Sequence, residues 1–222
     1  MHIGLIGGIG PAATDFYYRG LIERHVAAGT SPDITICHAD VREMSRNMLA
    51  KAPGKQAEIF AGLVGRMKAA GAEAAAITSM GGHFCVKELT AISPLPILNA
   101  IPEIDAALAR KKLKKIGIIG TRTVMESKLY GGIPSVEVVP TEDEDLDRVH
   151  ANYVEMATSG HVNDGHRQVF FAAGRRLMAR GAEAVMLGGT DLFLAFAGQE
   201  PGFAVIDCAD IHVDALYRSS AS

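Results

Sequence analysis

The chain has 222 residues, with 22 basic and 25 acidic side chains and a formal charge of −3. That length is one large domain or two small ones, and 48% hydrophobic with 21% charged content excludes a disordered chain. A balance so near neutral argues against a nucleic-acid surface, which relies on clustered Lys and Arg. Ile3-Gly4-Leu5-Ile6-Gly7 begins at once as a buried strand, with no basic region leading into a signal peptide. No stretch reaches the roughly 18 apolar residues of a membrane span, so a soluble cytoplasmic protein with neither membrane nor nucleic-acid partners is expected. Further strands are predicted at Ile34–Cys37, Ala74–Thr78, Ile97–Leu98, Ile116–Gly120, Val136–Val139, Ala184–Leu187 and Ala204–Ile206. Between them, helical periodicity covers Ala12–Ala28, Lys55–Ala70, Ile101–Arg110, Asp145–Thr158, Arg167–Arg180 and Ala209–Arg218. Pro11 suits a first helical turn, Gly29, Gly71 and Gly181 suit helix ends, and the basic run Arg110–Lys115 suits a helix C-terminus.

This alternation is the βαβ rhythm of a parallel sheet covered on both faces. An internal repeat organises it. Ile3-Gly4-Leu5-Ile6-Gly7 matches Ile116-Gly117-Ile118-Ile119-Gly120; Arg66-Met67 through Ala74 matches Arg176-Leu177 through Ala184; Pro96-Ile97-Leu98-Asn99 matches Ala204-Val205-Ile206-Asp207. Three blocks in one order indicate a duplicated α/β unit. The predicted fold is therefore α/β, two pseudo-symmetric parallel-sheet units related by duplication. The first takes residues 1–98 with 208–222 packing back, the second 99–207. Ligands of open α/β sheets bind beyond the carboxyl ends of the strands. Two such units facing each other would enclose one cleft, lined by equivalent loops that start at Gly8, Thr121, Ser79 and Gly189.

The chemistry-bearing residues fall in those loops. Gly7-Gly8-Ile9-Gly10-Pro11-Ala12-Ala13-Thr14 is a Gly-rich strand-to-helix turn without the spacing of a dinucleotide or P-loop motif. It reads either as an anion site at a helix N-terminus, suited to a carboxylate, or as a tight turn. Thr78-Ser79-Met80-Gly81-Gly82-His83 offers hydroxyls, close backbone approach and one imidazole; His83 is a candidate acid or base, or a structural histidine of a first helical turn. Gly188-Gly189-Thr190-Asp191 supplies a hydroxyl and a carboxylate, with Asp191 either a helix cap or a functional group.

In order along the chain these motifs resemble the PLP-independent aspartate/glutamate racemases. Residues 7–14 are similar to that family's GGMGPLAT; Gly71-Ala72-Glu73 running into 79–83 sits where it has GAD and then PCNTAH. Residues 181–192 sit where it has GAD and then GCTEL, Pro140–Glu144 resembles PTEDE, and Val205-Ile206-Asp207 resembles PLID. The resemblance implies two flavodoxin-like α/β domains, inversion at an α-carbon without a cofactor or metal, and a homodimer. It also implies two cysteines on opposite faces of the substrate, one removing the α-proton as thiolate while the other delivers a proton.

Carried over residue by residue, both cysteine positions are substituted, the first by Ser79 and the second by Gly189. The residues after the first cysteine become Met80 and Gly81; His83 and Thr190 match, and Asp191 replaces a Glu. A substrate-binding arginine in the second βα loop corresponds to Arg46. A serine hydroxyl titrates roughly 7 units above a thiol, so Ser79 as base starts about 10 kcal/mol worse off. Only a Ser79–His83 relay would recover much of that. The cysteines that exist, Cys37, Cys85 and Cys208, fit neither a disulfide framework nor a paired zinc motif and read as small buried residues.

The expected function is an amino-acid racemase-family enzyme acting on a small amino acid or dicarboxylate in the cleft by proton transfer other than between two thiols. His83 or Asp191 is then the base, and Ser79 or Thr190 the relay or oxyanion donor. Gly8, Gly10, Thr121 and Thr123 frame the anion, and Arg46, Thr78, Met80, Gly81, Gly82 and Gly189 bind substrate. A lyase or decarboxylase, and a non-catalytic relative whose paired glycines enlarge the cleft, stand as alternatives.

Overall fold

In the computed structural model residues 1–221 are described; Ser222, counted in the expected first unit, lies outside them. The chain divides into two compact units, one of residues 1–99 together with the chain from His212 on, the other Ala100–Ile211.

In the first unit, β1 (Ile3–Gly7) is buried at all five residues, as a continuous apolar run in a parallel sheet should be. It is followed by α1 (Pro11–Ala27), β2 (Ile34–His38), α2 (Val41–Leu49), α3 (Pro53–Ala69) and β3 (Ala74–Ile77). A 3₁₀ turn at Gly81–Cys85 then leads into α4 (Val86–Ile92). The sheet order is β2-β1-β3, all parallel, with Ile3 beside Ile34 on one side and Ala74 on the other. Edge strand β2 is only partly buried, and Ile36 is exposed. The core beneath the sheet is built from Ile6, Phe60, Val64, Met67 and Ile77.

The strand expected at Ile97–Leu98 is reduced to a single parallel bridge between Ala75 and Ile97. Ala75 N–H donates to Pro96 O and Leu98 N–H to Ala75 O, but Pro94 and Pro96 have no N–H with which to extend a ladder. Helix α2 was not among the expected elements. Asp40 caps it by accepting from Arg42 N–H at 2.8 Å, and its short apolar face buries Met44.

The second unit holds α5 (Ala100–Arg110), β4 (Lys115–Ile119), α6 (Arg122–Glu126), β5 (Glu137–Val139), α7 (Asp143–Ser159), α8 (Asp164–Ala179) and β6 (Ala184–Leu187). A 3₁₀ turn at Thr190–Leu192, α9 (Phe193–Phe196), β7 (Val205–Asp207) and the start of α10 (Cys208–Ser220) complete it. Its order, β5-β4-β6-β7, repeats that of the first unit and adds a full fourth strand where the first has the bridge. The repeat is physical as well as textual. At Gly4 a Cβ would lie 2.4 Å from Met67 Sδ, and at the matching Gly117 it would lie 2.7 Å from Leu177 Cδ1. In both units the strand glycine lets the same helix position press onto the sheet.

A 2-1-3 order sends the chain from the central strand to one side and brings it back on the other. The loops leaving β1 and β3, and those leaving β4 and β6, therefore diverge at the carboxyl edge of each sheet, where such folds bind ligands. Among the described residues no helix is long and apolar enough to cross a membrane.

Candidate active site

The loop after β1 is tied from within. Gly8 has φ +86°, and a Cβ there would stand 2.4 Å from the His38 ring and 2.7 Å from the Ala39 carbonyl oxygen, so only glycine fits. Its N–H donates to Thr14 Oγ1 at 3.0 Å, and Thr14 donates in turn to Gly10 O at 3.1 Å. Thr78 Oγ1 donates to Ile6 O at 2.9 Å and lies 3.4 Å from Thr14 Oγ1. The Gly8 amide and the Thr78 hydroxyl, both expected to meet substrate, are thus engaged in holding the loop to the strand. Gly10 is the extended N-cap of α1, which has no side-chain cap and no acidic residue in its first turn. Arg46 is exposed on α2, within electrostatic reach of Asp40.

After β3, the His83 ring is turned to the backbone of Ser79. Its Nδ1 lies 2.7 Å from the Ser79 carbonyl oxygen, which can only accept, so Nδ1 carries the proton and Nε2 presents a lone pair. The Ser79 hydroxyl accepts instead from Gly82 N–H at 3.4 Å, and no Ser–His relay is formed. Burial pushes the imidazole down to about 4, keeping it neutral, and Nε2 is buried without a hydrogen-bond partner.

Two residues that sequence reasoning missed stand behind this ring, His212 against it and Tyr17 bonded to His212. His212 packs edge-to-face on His83 with centroids 6.0 Å apart. Its Nε2–H donates to Leu98 O at 2.9 Å, and its Nδ1 accepts from the Tyr17 hydroxyl at 2.9 Å. Burial, then the neighbouring His83, pushes His212 down to about 3. Met80 is fully buried. A Cβ on Gly82 would be 2.8 Å from Ile77 Cγ2, whereas one on Gly81 would only touch Ser79 Oγ at 3.5 Å.

In the second unit Thr121 caps α6 by accepting from Val124 N–H at 3.4 Å, and Thr123 is half-buried in that helix. In the loop after β6, a Cβ on Gly188 would lie 2.8 Å from Ile118 Cγ2, and one on Gly189 would lie 2.3 Å from Tyr153 Cε2 and 2.7 Å from its Cζ. At positions 82, 188 and 189 the space a Cβ would take is already filled by neighbouring side chains. The Tyr153 hydroxyl donates to Asp191 Oδ2 at 3.1 Å, and both residues are buried. Burial, then the Asp191 charge, holds the phenol well above its ordinary range.

Asp191 lies inside the 3₁₀ turn rather than at an N-cap, which removes the helix-cap alternative. Thr190 is 1% exposed, and its Oγ1 is buried without a partner. Tyr153 belongs to the α7 stripe Leu146, Val149, Tyr153, Met156, so its spacing gives no signal apart from the core's. At the end of β7, burial pushes the Asp207 carboxyl up to about 6 against the N–H donors of Ala209 and Asp210.

Two cysteines lie beside these residues, Cys85 in the turn of His83 and Cys208 within electrostatic reach of Tyr153. Cys85 Sγ donates to Gly82 O at 3.4 Å and is pushed up to about 12 by burial. Cys208 is fully buried and raised well above the ordinary thiol range, and Cys37 packs partly buried on the first core.

An α/β protein with two 2-1-3 parallel sheets, each presenting polar side chains in the loops beyond its central strands, is the class these features define. Residues 6–216 match the Asp/Glu/hydantoin racemase family, and the chain belongs to it. Among solved structures it is similar, at 25% identity, full coverage of both chains and a TM-score of 0.86, to a protein from Yersinia pestis described as a candidate Asp/Glu racemase. An aspartate racemase homologue from Pyrococcus horikoshii OT3 aligns over 100% of this chain and 99% of its own at 22% identity and a TM-score of 0.78. Glutamate racemase from Francisella tularensis in complex with D-glutamate shares the fold at 16% identity, covering 98% of this chain and 80% of that one with a TM-score of 0.67.

Proposed function

We propose that the chain is an amino-acid racemase or closely related isomerase that moves the α-proton of a small amino acid or dicarboxylate without a pair of thiols. One observation carries this beyond family membership. In each unit the loop after the third strand in chain order leaves a buried polar side-chain atom unpartnered, His83 Nε2 in the first and Thr190 Oγ1 in the second. Such an atom costs about 1–3 kcal/mol, a penalty that a polar ligand removes on binding.

The groups present suit proton transfer. His83 is neutral with its lone pair available. A bound carboxylate nearby favours its protonated form and so strengthens it as a base. Asp191 supplies a second proton acceptor and the Thr190 hydroxyl a donor for the charge that develops on the substrate carboxylate. Cys85, pushed up to about 12, and Cys208, raised further, are protonated at neutral pH and supply no thiolate. A homodimer and a small carboxylate or amino-acid ligand belong to the same reading.

The test is α-proton exchange in D₂O, with optical rotation followed in parallel, over a panel of amino and dicarboxylic acids. Exchange of at least one compound is expected, with His83→Ala and Asp191→Asn each lowering it at least 100-fold and Cys37→Ser and Cys85→Ser leaving it within about twofold. Measurable binding with no exchange in the whole panel refutes the reading.

A further inference from the structure

The function proposed above gives no role to Tyr153, a buried residue of the second unit. We propose that Tyr153 is a positioning residue of the site: packed into the side-chain space at Gly189, its phenol donates to Asp191 and fixes the orientation in which that carboxylate meets the substrate. The inference rests on the proton-transfer reading, because it assigns Asp191 a substrate to face.

Three observations support it. Gly189 has φ −117° and ψ 125°, a conformation open to any L residue, so the backbone does not require glycine there. What excludes a side chain is the Tyr153 ring, which a Cβ at 189 would meet at 2.3, 2.7 and 3.0 Å. The loop after β6 thus gives up its own side chain at this point and receives one from α7. The phenol arriving there is also not a passive filler like Leu146 or Val149 on the same face. Its hydroxyl is committed to Asp191 Oδ2 at 3.1 Å across 38 residues of chain. Finally, the next residue, Thr190, carries the unpartnered Oγ1, so the oriented carboxylate and the orphaned hydroxyl lie in one turn. Burial and the Asp191 charge keep Tyr153 protonated, so it remains a donor throughout the working range.

Tyr153→Phe keeps the ring and removes only the donor. In the exchange assay its kcat is expected to fall at least about 10-fold with KM changed less than about threefold, because ground-state contacts to substrate are retained. The acid limb of its kcat profile should move to higher pH, since a carboxylate that loses a donor holds its proton more tightly. A purely structural role would leave that limb in place.

The activity-independent arm follows the Tyr153 ¹³Cζ resonance from pH 7 to 12. Ionisation should begin at lower pH in Asp191→Asn than in wild type, since the charge that opposes it is gone. An unchanged rate and profile in a folded Tyr153→Phe, or an unchanged Tyr153 titration in Asp191→Asn, overturns the proposal. If the wild type exchanges no compound, the functional reading fails by itself, and the resonance comparison alone decides whether Tyr153 and Asp191 are coupled.

Discussion

Gly189→Ala is the most discriminating single change the structure offers for stability. The new methyl would sit 2.3 Å from Tyr153 Cε2, about 1 Å inside the 3.4 Å of ordinary contact. Tyr153 is only 7% exposed, so the ring cannot swing out into solvent without giving up its packing. Overpacking of this kind costs about 1–3 kcal/mol. A ring shift near 1 Å also stretches the 3.1 Å bond to Asp191 beyond hydrogen-bonding distance, and a hydrogen bond to a charged group contributes about 1.5–3 kcal/mol. The expected loss is therefore about 3 kcal/mol or more, nearly all of it dependent on the ring.

A double-mutant cycle isolates that dependence. In a Tyr153→Leu background the same Gly189→Ala change should be neutral or stabilising by a few tenths of a kcal/mol, because the backbone angles suit alanine and the unfolded chain loses freedom. Urea unfolding followed by circular dichroism, with equal m-values required across the four proteins, gives the coupling energy. A Gly189→Ala protein within 0.5 kcal/mol of wild type, or a coupling below about 1 kcal/mol, would show that the ring does not occupy this space.

Two further outcomes follow from the same geometry. His83 and His212, pushed down to about 4 and about 3, bind fewer protons folded than unfolded between those values and 6.5. Their stability contribution is thus present above pH 6.5 and lost as pH falls, by about 3 kcal/mol for the two between pH 6.5 and 5. Asp207, pushed up to about 6, works oppositely and returns roughly 1 kcal/mol over that range. Asp207→Asn should therefore make the acid fall in the urea midpoint steeper, and a midpoint flat from pH 6.5 to 5 in both proteins would contradict the burial of the histidines. Gly4→Ala and Gly117→Ala test the repeated strand–helix contact. The first meets the flexible Met67 Sδ at 2.4 Å and its anchored Cβ at 3.0 Å, whereas the second meets the branched Leu177 at Cδ1 and, closer in, its anchored Cβ at 2.8 Å. Gly117→Ala should cost more, within the 1–3 kcal/mol of overpacking, and the reverse order of melting temperatures would refute the reasoning.

The loops that carry the candidate site were legible because each follows a strand whose apolar run is continuous, and a parallel sheet puts such loops on one edge. Ser79, His83, Thr190 and Asp191 were placed in those loops by that logic. What their side chains do there was not legible. Thr78 and Thr121 look alike in the sequence, yet Thr78 donates its hydroxyl to the Ile6 carbonyl, whereas Thr121 accepts from the Val124 amide. The Ser79–His83 relay was inferred because a serine base needs an adjacent imidazole, but the backbone carbonyl of Ser79, which no sequence pattern advertises, takes the ring nitrogen. Tyr17 and His212 stand 195 residues apart, and each alone reads as one more member of a helix face.

Local periodicity, the ordered repeat and the glycine-rich turns determined by themselves that this is a duplicated α/β chain with its polar loops after the strands. These features depend on interactions between residues a few positions apart, which one sequence displays in full. Only the tertiary structure decided that Gly189 is vacant because Tyr153 fills it, that His83 is neutral with Nε2 unpartnered, and that burial holds the Cys85 and Cys208 thiols protonated. Those properties are set by burial and by partners distant in the chain. The physics that fixes a pKa or fills a cavity acts through space and leaves no mark on the spacing of residues.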